Sequence, residues 1–222
     1  MIAPPATIEQ LNARISEIAG KTLGELAENF GATIPDNLRI QKGWQGQFIE
    51  RCLGADAGNE SRPDFSLLDI ELKTIPIDFN GKVQESTYVC VVSLQNNLGA
   101  MWRESTVYHK LKHVLWVPIA QQSGAPIHQS VIATPFLWQM DAAQESKIQT
   151  DWEDAMELIS LGKVHKLNAK FGDVLQVRPK AANSRVLTQV VDEEGNSAQT
   201  LPRGFYLRAK FTQSLIYSHL RV

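Results

Sequence analysis

The stretch RPDFSLLDIELKTIP, residues 62–76, decides how this chain is read. Its Leu, Ile and Thr content predicts a strand, yet it carries Asp64, Asp69, Glu71 and Lys73. On a strand, residues two apart share a face, so Asp69, Glu71 and Lys73 point one way and Leu68, Ile70, Leu72 and Thr74 the other. Taken alone, such a row reads as an ordinary solvent face. Two features favour chemistry. Asp64 lies seven residues before Glu71, a spacing that a tight turn can close until the two carboxylates flank a gap the size of a divalent ion. Carboxylates that close repel unless a cation or proton lies between them. Hard oxygen ligands favour magnesium, which binds through one or two carboxylates, water and substrate phosphate. Lys73, one pleat beyond Glu71, places an ammonium where it can polarise water or neutralise charge developing on a phosphate.

Outward from this segment, the periodicity is helical on one side and strand-like on the other. Thr7 with Gln10 and Thr22 with Glu25 have capping-box spacing, predicting helices that end at Gly20 and near Gly31. A third helix is expected over about Leu38–Leu53, with Trp44, Phe48 and Cys52 on one stripe. FSLLDIELKTIPI, STYVCVVSL, HVLWVPIA and SVIATPFLW read as four strands. A helix follows over about Asp141–Leu161 with Ile148, Trp152, Met156 and Ile159 buried. VHKLNAK and VLQVRP read as a hairpin joined by Phe-Gly-Asp, then an acidic loop around residues 192–196, then LPRGFYLRAKF and a short helix. The expected class is α/β, a mixed sheet with helices on it.

The 222 residues carry a formal net charge of −2, but its distribution is uneven. Residues 161–222 hold ten Lys and Arg against four Asp and Glu; residues 1–160 hold twelve against twenty. A basic final third is either a solvated face or a polyanion surface. The start MIAPPATIEQ lacks the basic-then-apolar order of a secretory signal, and no apolar run approaches the roughly 20 residues of a membrane helix, so the expected location is the cytoplasm. Cys52 and Cys90 have no paired metal-ligand spacing and are expected to be buried, with neither a disulfide framework nor a zinc site. His109 and His113 have helical metal-pair spacing but no acidic partner on that segment.

Pro63-Asp64 followed by Glu71-Leu72-Lys73 resembles the signature of the PD-(D/E)XK nuclease superfamily, and KGWQGQFIERCLGADAG, DIELKTIP, HKLKHVLW, RPKAAN and LPRGFYL, in this order, resemble the MutH family of DNA mismatch repair endonucleases. That resemblance covers essentially the whole chain. It implies a restriction-endonuclease-like mixed β-sheet flanked by helices in a single domain, with two lobes forming a DNA-binding cleft: residues 1–160 mainly catalytic, residues 161–222 mainly basic and DNA-recognising. By resemblance, Asp64 and Glu71 are the metal ligands, Lys73 the catalytic lysine, Glu50 a fourth acid from the preceding helix, and Lys110 a lysine near the active site. Asp69 does not match the metal-ligand position. Gly46 and Gly54 on either side of Glu50 are expected to leave the helix face around it bare.

The resemblance assigns Arg178, Pro179 and Lys180 to DNA recognition, with Tyr206 near the adenine methyl position and Tyr88 near the DNA. Chemically, an arginine fork suits guanine, a lysine suits a base edge or a phosphate, and a proline fixes the loop. A phenol packed against the adenine would reject a methyl group by steric clash. The implied activity is magnesium-dependent nicking, with manganese able to substitute, of the unmethylated strand at hemimethylated GATC, 5′ to the guanine, by a monomer. MutL is the implied activator, with MutS upstream. A double-strand-cutting restriction enzyme and a non-catalytic methylation-reading module are the alternatives.

Overall fold

The computed structural model describes residues 2–35, 43–58, 60, 62–95, 97, 99–180 and 186–220. In chain order the elements are α1 (Ile8–Ile18), α2 (Leu23–Phe30), α3 (Trp44–Leu53), β1 (Glu71–Ile77), β2 (Thr87–Val91), α4 (Thr106–Leu111), β3 (His113–Ala120), β4 (Val131–Ile132), β5 (Phe136–Gln139), α5 (Ala142–Ser160), β6 (Leu175–Pro179), β7 (Thr188–Val191), β8 (Ser197–Thr200), β9 (Arg203–Leu207) and α6 (Ala209–Leu220). The expected α/β class, strands in mixed sheets flanked by helices, is the observed one.

Contacts group the chain into two compact units that interleave along the sequence. The first is Met1–Glu85, His113–Gln139 and Gln213–Val222; the second is Ser86–Lys112 and Met140–Thr212. The lobes expected on either side of residue 160 follow the resemblance and the charge balance; these units follow packing.

In the first unit, β3 is central. β1 runs parallel to it, with Glu71 opposite Val114 and Lys73 opposite Trp116. β5 pairs antiparallel with residues His113–Trp116 and β4 with Ile119 and Ala120. One face of this sheet, through Leu72, Leu115, Val117 and Ile119, packs with α1, α2 and α3 through Leu11, Ile15, Leu26, Phe48, Ile49 and Leu53. The helices start where capping chemistry places them. Thr7 accepts the Gln10 N–H, although Gln10 returns its bond to Ala6 rather than to Thr7. Thr22 and Glu25 form a complete reciprocal box. In the second unit, β9 is the middle strand of an antiparallel sheet with β2 and β6, β7 and β8 form a separate hairpin, and α5 opens on an Asp141–Gln144 capping box. Asp151, buried on α5, accepts the N–H groups of Asp173, Val174 and Leu175 at 2.7–2.9 Å, fixing the approach to β6.

Several expectations are corrected. α3 begins at Trp44, because Gly43 holds a left-handed φ of 90° that cannot continue a helix; the expected start at Leu38 lies outside the described residues. The strand expected from Phe65 begins only at Glu71: Phe65 and Ile70 exchange backbone hydrogen bonds across a tight turn, in which Asp69 has φ 55°. Asp69 is therefore exposed in the turn, not in a row with Glu71. SVIATPFLW is two strands, broken ahead of Pro135. VHKLNAK forms a 3-10 turn over Val164–Lys166 rather than a strand, and the acidic loop is the tip of the β7–β8 hairpin. On α5, Met156 is half-buried, and Asp151 and Ala155 complete the buried stripe. Cys52 and Cys90 are buried, as expected.

Candidate active site and nucleic-acid interface

Asp64, Glu71 and Lys73 are brought together in the first unit. The turn from Phe65 to Ile70 folds the chain back, so that Asp64 Oδ2 accepts the N–H of Leu72 at 2.8 Å. Its carboxylate thus lies against the peptide that links Glu71 to Leu72. Glu71 Oε1 accepts a charged hydrogen bond from Lys73 Nζ at 3.0 Å. These three side chains are 5–8 % exposed, which overturns the reading of the row as a solvent face. Ionisable groups are seldom buried without a partner, and an acid pair beside a lysine is an expensive arrangement that packing alone does not require.

Among the described residues no group of three or more His, Cys, Asp and Glu converges as a metal cage, His109 and His113 included. Magnesium needs no such cage: it keeps several waters and takes one or two carboxylates. Two hard oxygen side chains at the ends of one short turn are a donor set that suits it.

Glu50 sits half-buried on α3, a helix that packs against β1. A Cβ at Gly46 would lie 3.8 Å from Glu50 Oε1, an ordinary contact distance, so the carboxylate does not require a glycine there. Gly54 has a different job. It is the left-handed C-cap of α3 at φ 80°, and a side chain there would meet Arg14 and the carbonyl of Ala3. Lys110 belongs to the second unit, on the buried side of α4, at 9 % exposure.

The second unit gathers Tyr88, Tyr206, Arg178 and Lys180 on one face of the β2–β9–β6 sheet. Tyr88 pairs with Tyr206 in register, their rings 5.4 Å apart edge to face. Lys180 Nζ stands 3.2 Å from the centre of the Tyr88 ring, and the Arg178 guanidinium 5.5 Å from that of Tyr206. Arg178, Pro179 and Lys180 are exposed, and the two tyrosines are half-buried. Burial, followed by the neighbouring Cys90 and Tyr206, pushes the Tyr88 phenol up to about 12. A sheet face of two rings under two cations can stack or crowd a base while meeting phosphate charge.

Residue-type reasoning overlooked two parts of this face. Gly204 lies opposite Arg178 in register, and a Cβ on it would come within 3.0 Å of Tyr88 Cε2 and 3.1 Å of Tyr206 Cε2. A glycine inside a strand is the available signal of such close approach. Ser86 accepts a hydrogen bond from Arg178 Nη1 at 2.7 Å, a pairing across 92 residues that no local pattern reveals. In the first unit, Asp56 in the loop before Asp64 is a further residue that its type does not single out; it bonds to Ser66.

Comparison with known proteins adds a family. Residues 53–151 match the family model described as "DNA mismatch repair enzyme MutH". Proteins named DNA mismatch repair protein MutH are similar over nearly the full length. That of Shewanella sp. strain MR-4 is 49 % identical over 97 % of this chain and 96 % of its own. That of Escherichia coli strain K12 is 43 % identical over all of this chain and 97 % of its own. The matched model spans Asp64, Glu71, Lys73, Tyr88 and Lys110; the full-length relatives extend over Glu50 and the β6–β9 face as well.

Proposed function

This chain belongs to the MutH family of DNA mismatch repair enzymes, and from that premise we propose that it is a magnesium-dependent endonuclease that nicks the unmethylated strand of hemimethylated GATC sites 5′ to the guanine. The observation that carries the proposal is the buried Asp64–Glu71–Lys73 cluster. Asp64 and Glu71 would hold magnesium, with manganese as a substitute, and Glu50 would complete the acidic set. The bound ion supplies Lewis-acid polarisation of the phosphate and lowers the pKa of water.

The chain's own residues do the rest. The Leu72 N–H holds Oδ2 of Asp64 and so orients the carboxylate that would meet the ion. The Lys73 ammonium neutralises Glu71 and offers hydrogen-bond donors to a water or to a charged phosphate oxygen, and Lys110 would meet phosphate as well. On the recognition face Arg178 would read guanine, with Pro179 and Lys180 shaping the loop beside it. Tyr206, backed by Tyr88, would crowd an adenine methyl group. One acidic cluster per chain suits a monomer that cuts one strand. MutL would activate it after MutS finds a mismatch, in the cytoplasm.

The test is a closed circular plasmid with one GATC site, prepared unmethylated, hemimethylated and fully methylated, incubated with magnesium at low salt and with EDTA as control. Nicked circles from the first two only, mapped to unmethylated strands, support the proposal. Linear product points to a restriction enzyme cutting both strands. No product even with MutL and ATP points to a binding module. Lys73→Ala is expected to abolish nicking while leaving DNA binding in EDTA largely intact.

A further inference from the structure

The loop ahead of Asp64 carries a carboxylate that the reaction does not use. Asp56 Oδ1 accepts the N–H of Ser66 at 2.9 Å and Oδ2 accepts the Ser66 hydroxyl at 2.5 Å. Its own N–H donates to the carbonyl of Asp64 at 2.8 Å, joined there by the N–H of Ala57 at 3.3 Å. Arg62 steadies Asp56 from behind: Nη2 donates to the Asp56 carbonyl at 3.2 Å, and Nη1 lies 3.8 Å from Oδ2. Asp56 therefore grips the chain at Asp64 through its main chain and, two residues on, at Ser66 through its side chain, where the turn to Glu71 begins. Beyond that grip the turn closes on itself through Phe65 and Ile70, and Asp64 reaches across it to Leu72.

A carboxylate that binds a cation works only when its main chain is held, because about half an ångström of play loosens the site. Partners one shell out from a metal supply that restraint. We propose that Asp56 is a positioning residue for the metal site: its carboxylate fixes Ser66, two residues past Asp64 and at the start of the turn to Glu71, and so aligns Asp64 with Glu71, which makes cation affinity depend on a side chain outside the acid cluster. This rests on the reading of Asp64 and Glu71 as the magnesium ligands.

Direct manganese binding to the full chain without DNA, followed by the electron paramagnetic resonance of the free ion, tests it. Wild type, Asp56→Ala, Asp56→Asn and Asp64→Ala are compared, with melting curves and DNA binding in EDTA as checks on folding. Asp56→Ala is expected to weaken manganese binding by about 10-fold or more with DNA binding in EDTA unchanged. Asp56→Asn keeps an acceptor for the Ser66 N–H and donates to the hydroxyl, so it is expected within about three-fold of wild type. Should Asp56→Ala fail to fold, Ser66→Ala, which loses only the hydroxyl bond, is expected to weaken binding by about three-fold; wild-type affinity in that variant overturns the proposal. So does wild-type affinity in a folded Asp56→Ala, where Asp64→Ala has lost binding. If Asp64→Ala binds manganese as wild type does, the reading of the ligands falls and this proposal falls with it.

Discussion

Asp64 and Leu72 are joined across a turn by one hydrogen bond, from the Leu72 N–H to Asp64 Oδ2 at 2.8 Å, and that bond aligns the acid with the strand that carries Glu71 and Lys73. The bond asks for an acceptor and not for a charge. The proposed chemistry asks for the charge. Asp64→Asn separates them: an asparagine oxygen can still accept from Leu72, so the thermal midpoint is expected to hold while nicking falls by about 100-fold or more. A variant that keeps nicking would remove Asp64 from the metal site.

Gly204 supports the tyrosine pair by having no side chain. A methyl group there would press on ring atoms of both Tyr88 and Tyr206 at about 3 Å, closer than carbon atoms pack. Gly204→Ala is expected to lose about 1–3 kcal/mol in urea denaturation as the rings shift. In the plasmid assay it is expected to narrow the rate difference between hemimethylated and fully methylated sites. Unchanged stability would mean that the rings move aside freely, and unchanged discrimination that their spacing does not read the methyl group.

The same pair makes a prediction about pH. The Tyr88 phenol is raised from 10.0 to about 12, so the folded protein favours its neutral form. The stability this contributes is complete below pH 10, the unfolded value, and is lost as pH climbs toward 12. At working pH the Lys180 contact is therefore with a neutral ring, a cation–π contact and not an ion pair. Tyrosine-selective carbon NMR checks this, with the Tyr88 signal assigned by Tyr88→Phe: it is expected to remain protonated at pH 10, where an ordinary phenol is half ionised.

Much of this was legible in the chain because local rules and tertiary packing agree. HVLWVPIA is β3 with the bounds the sequence predicts, since a strand buried on both faces reads as an unbroken apolar run. The Thr22–Glu25 and Asp141–Gln144 caps carry their own chemistry. The turn before Glu71 was hidden because Phe65, Leu67, Leu68 and Ile70 have strand composition; what breaks the strand is a backbone angle at Asp69. The Thr188–Thr200 hairpin is polar enough to pass for a loop. Within the site, acids and lysine announced themselves by type. Gly204, Ser86 and Asp56 did not, because each acts through what it lets a neighbour do.

Lys180 presents the remaining choice, between a base edge and a phosphate. Its ammonium already rests over the Tyr88 ring at 3.2 Å while the side chain stays exposed. An exposed cation–π contact is worth about 0.5–1 kcal/mol, enough to orient the side chain but not to prevent it from meeting DNA. A phosphate contact and a base contact differ in their salt signature, because only the former releases a condensed counterion. If Lys180 meets a phosphate, Lys180→Gln is expected to lower the slope of log affinity against log salt by about 0.9 and to weaken GATC and unrelated duplexes alike. If it reads a base, the slope holds and the loss of about 1–3 kcal/mol falls on GATC alone. The basic balance of the final third, together with a lysine held at the exposed edge of the sheet beyond Arg178, favours the phosphate. Fluorescence anisotropy across a salt series, in calcium to prevent cleavage, decides between them.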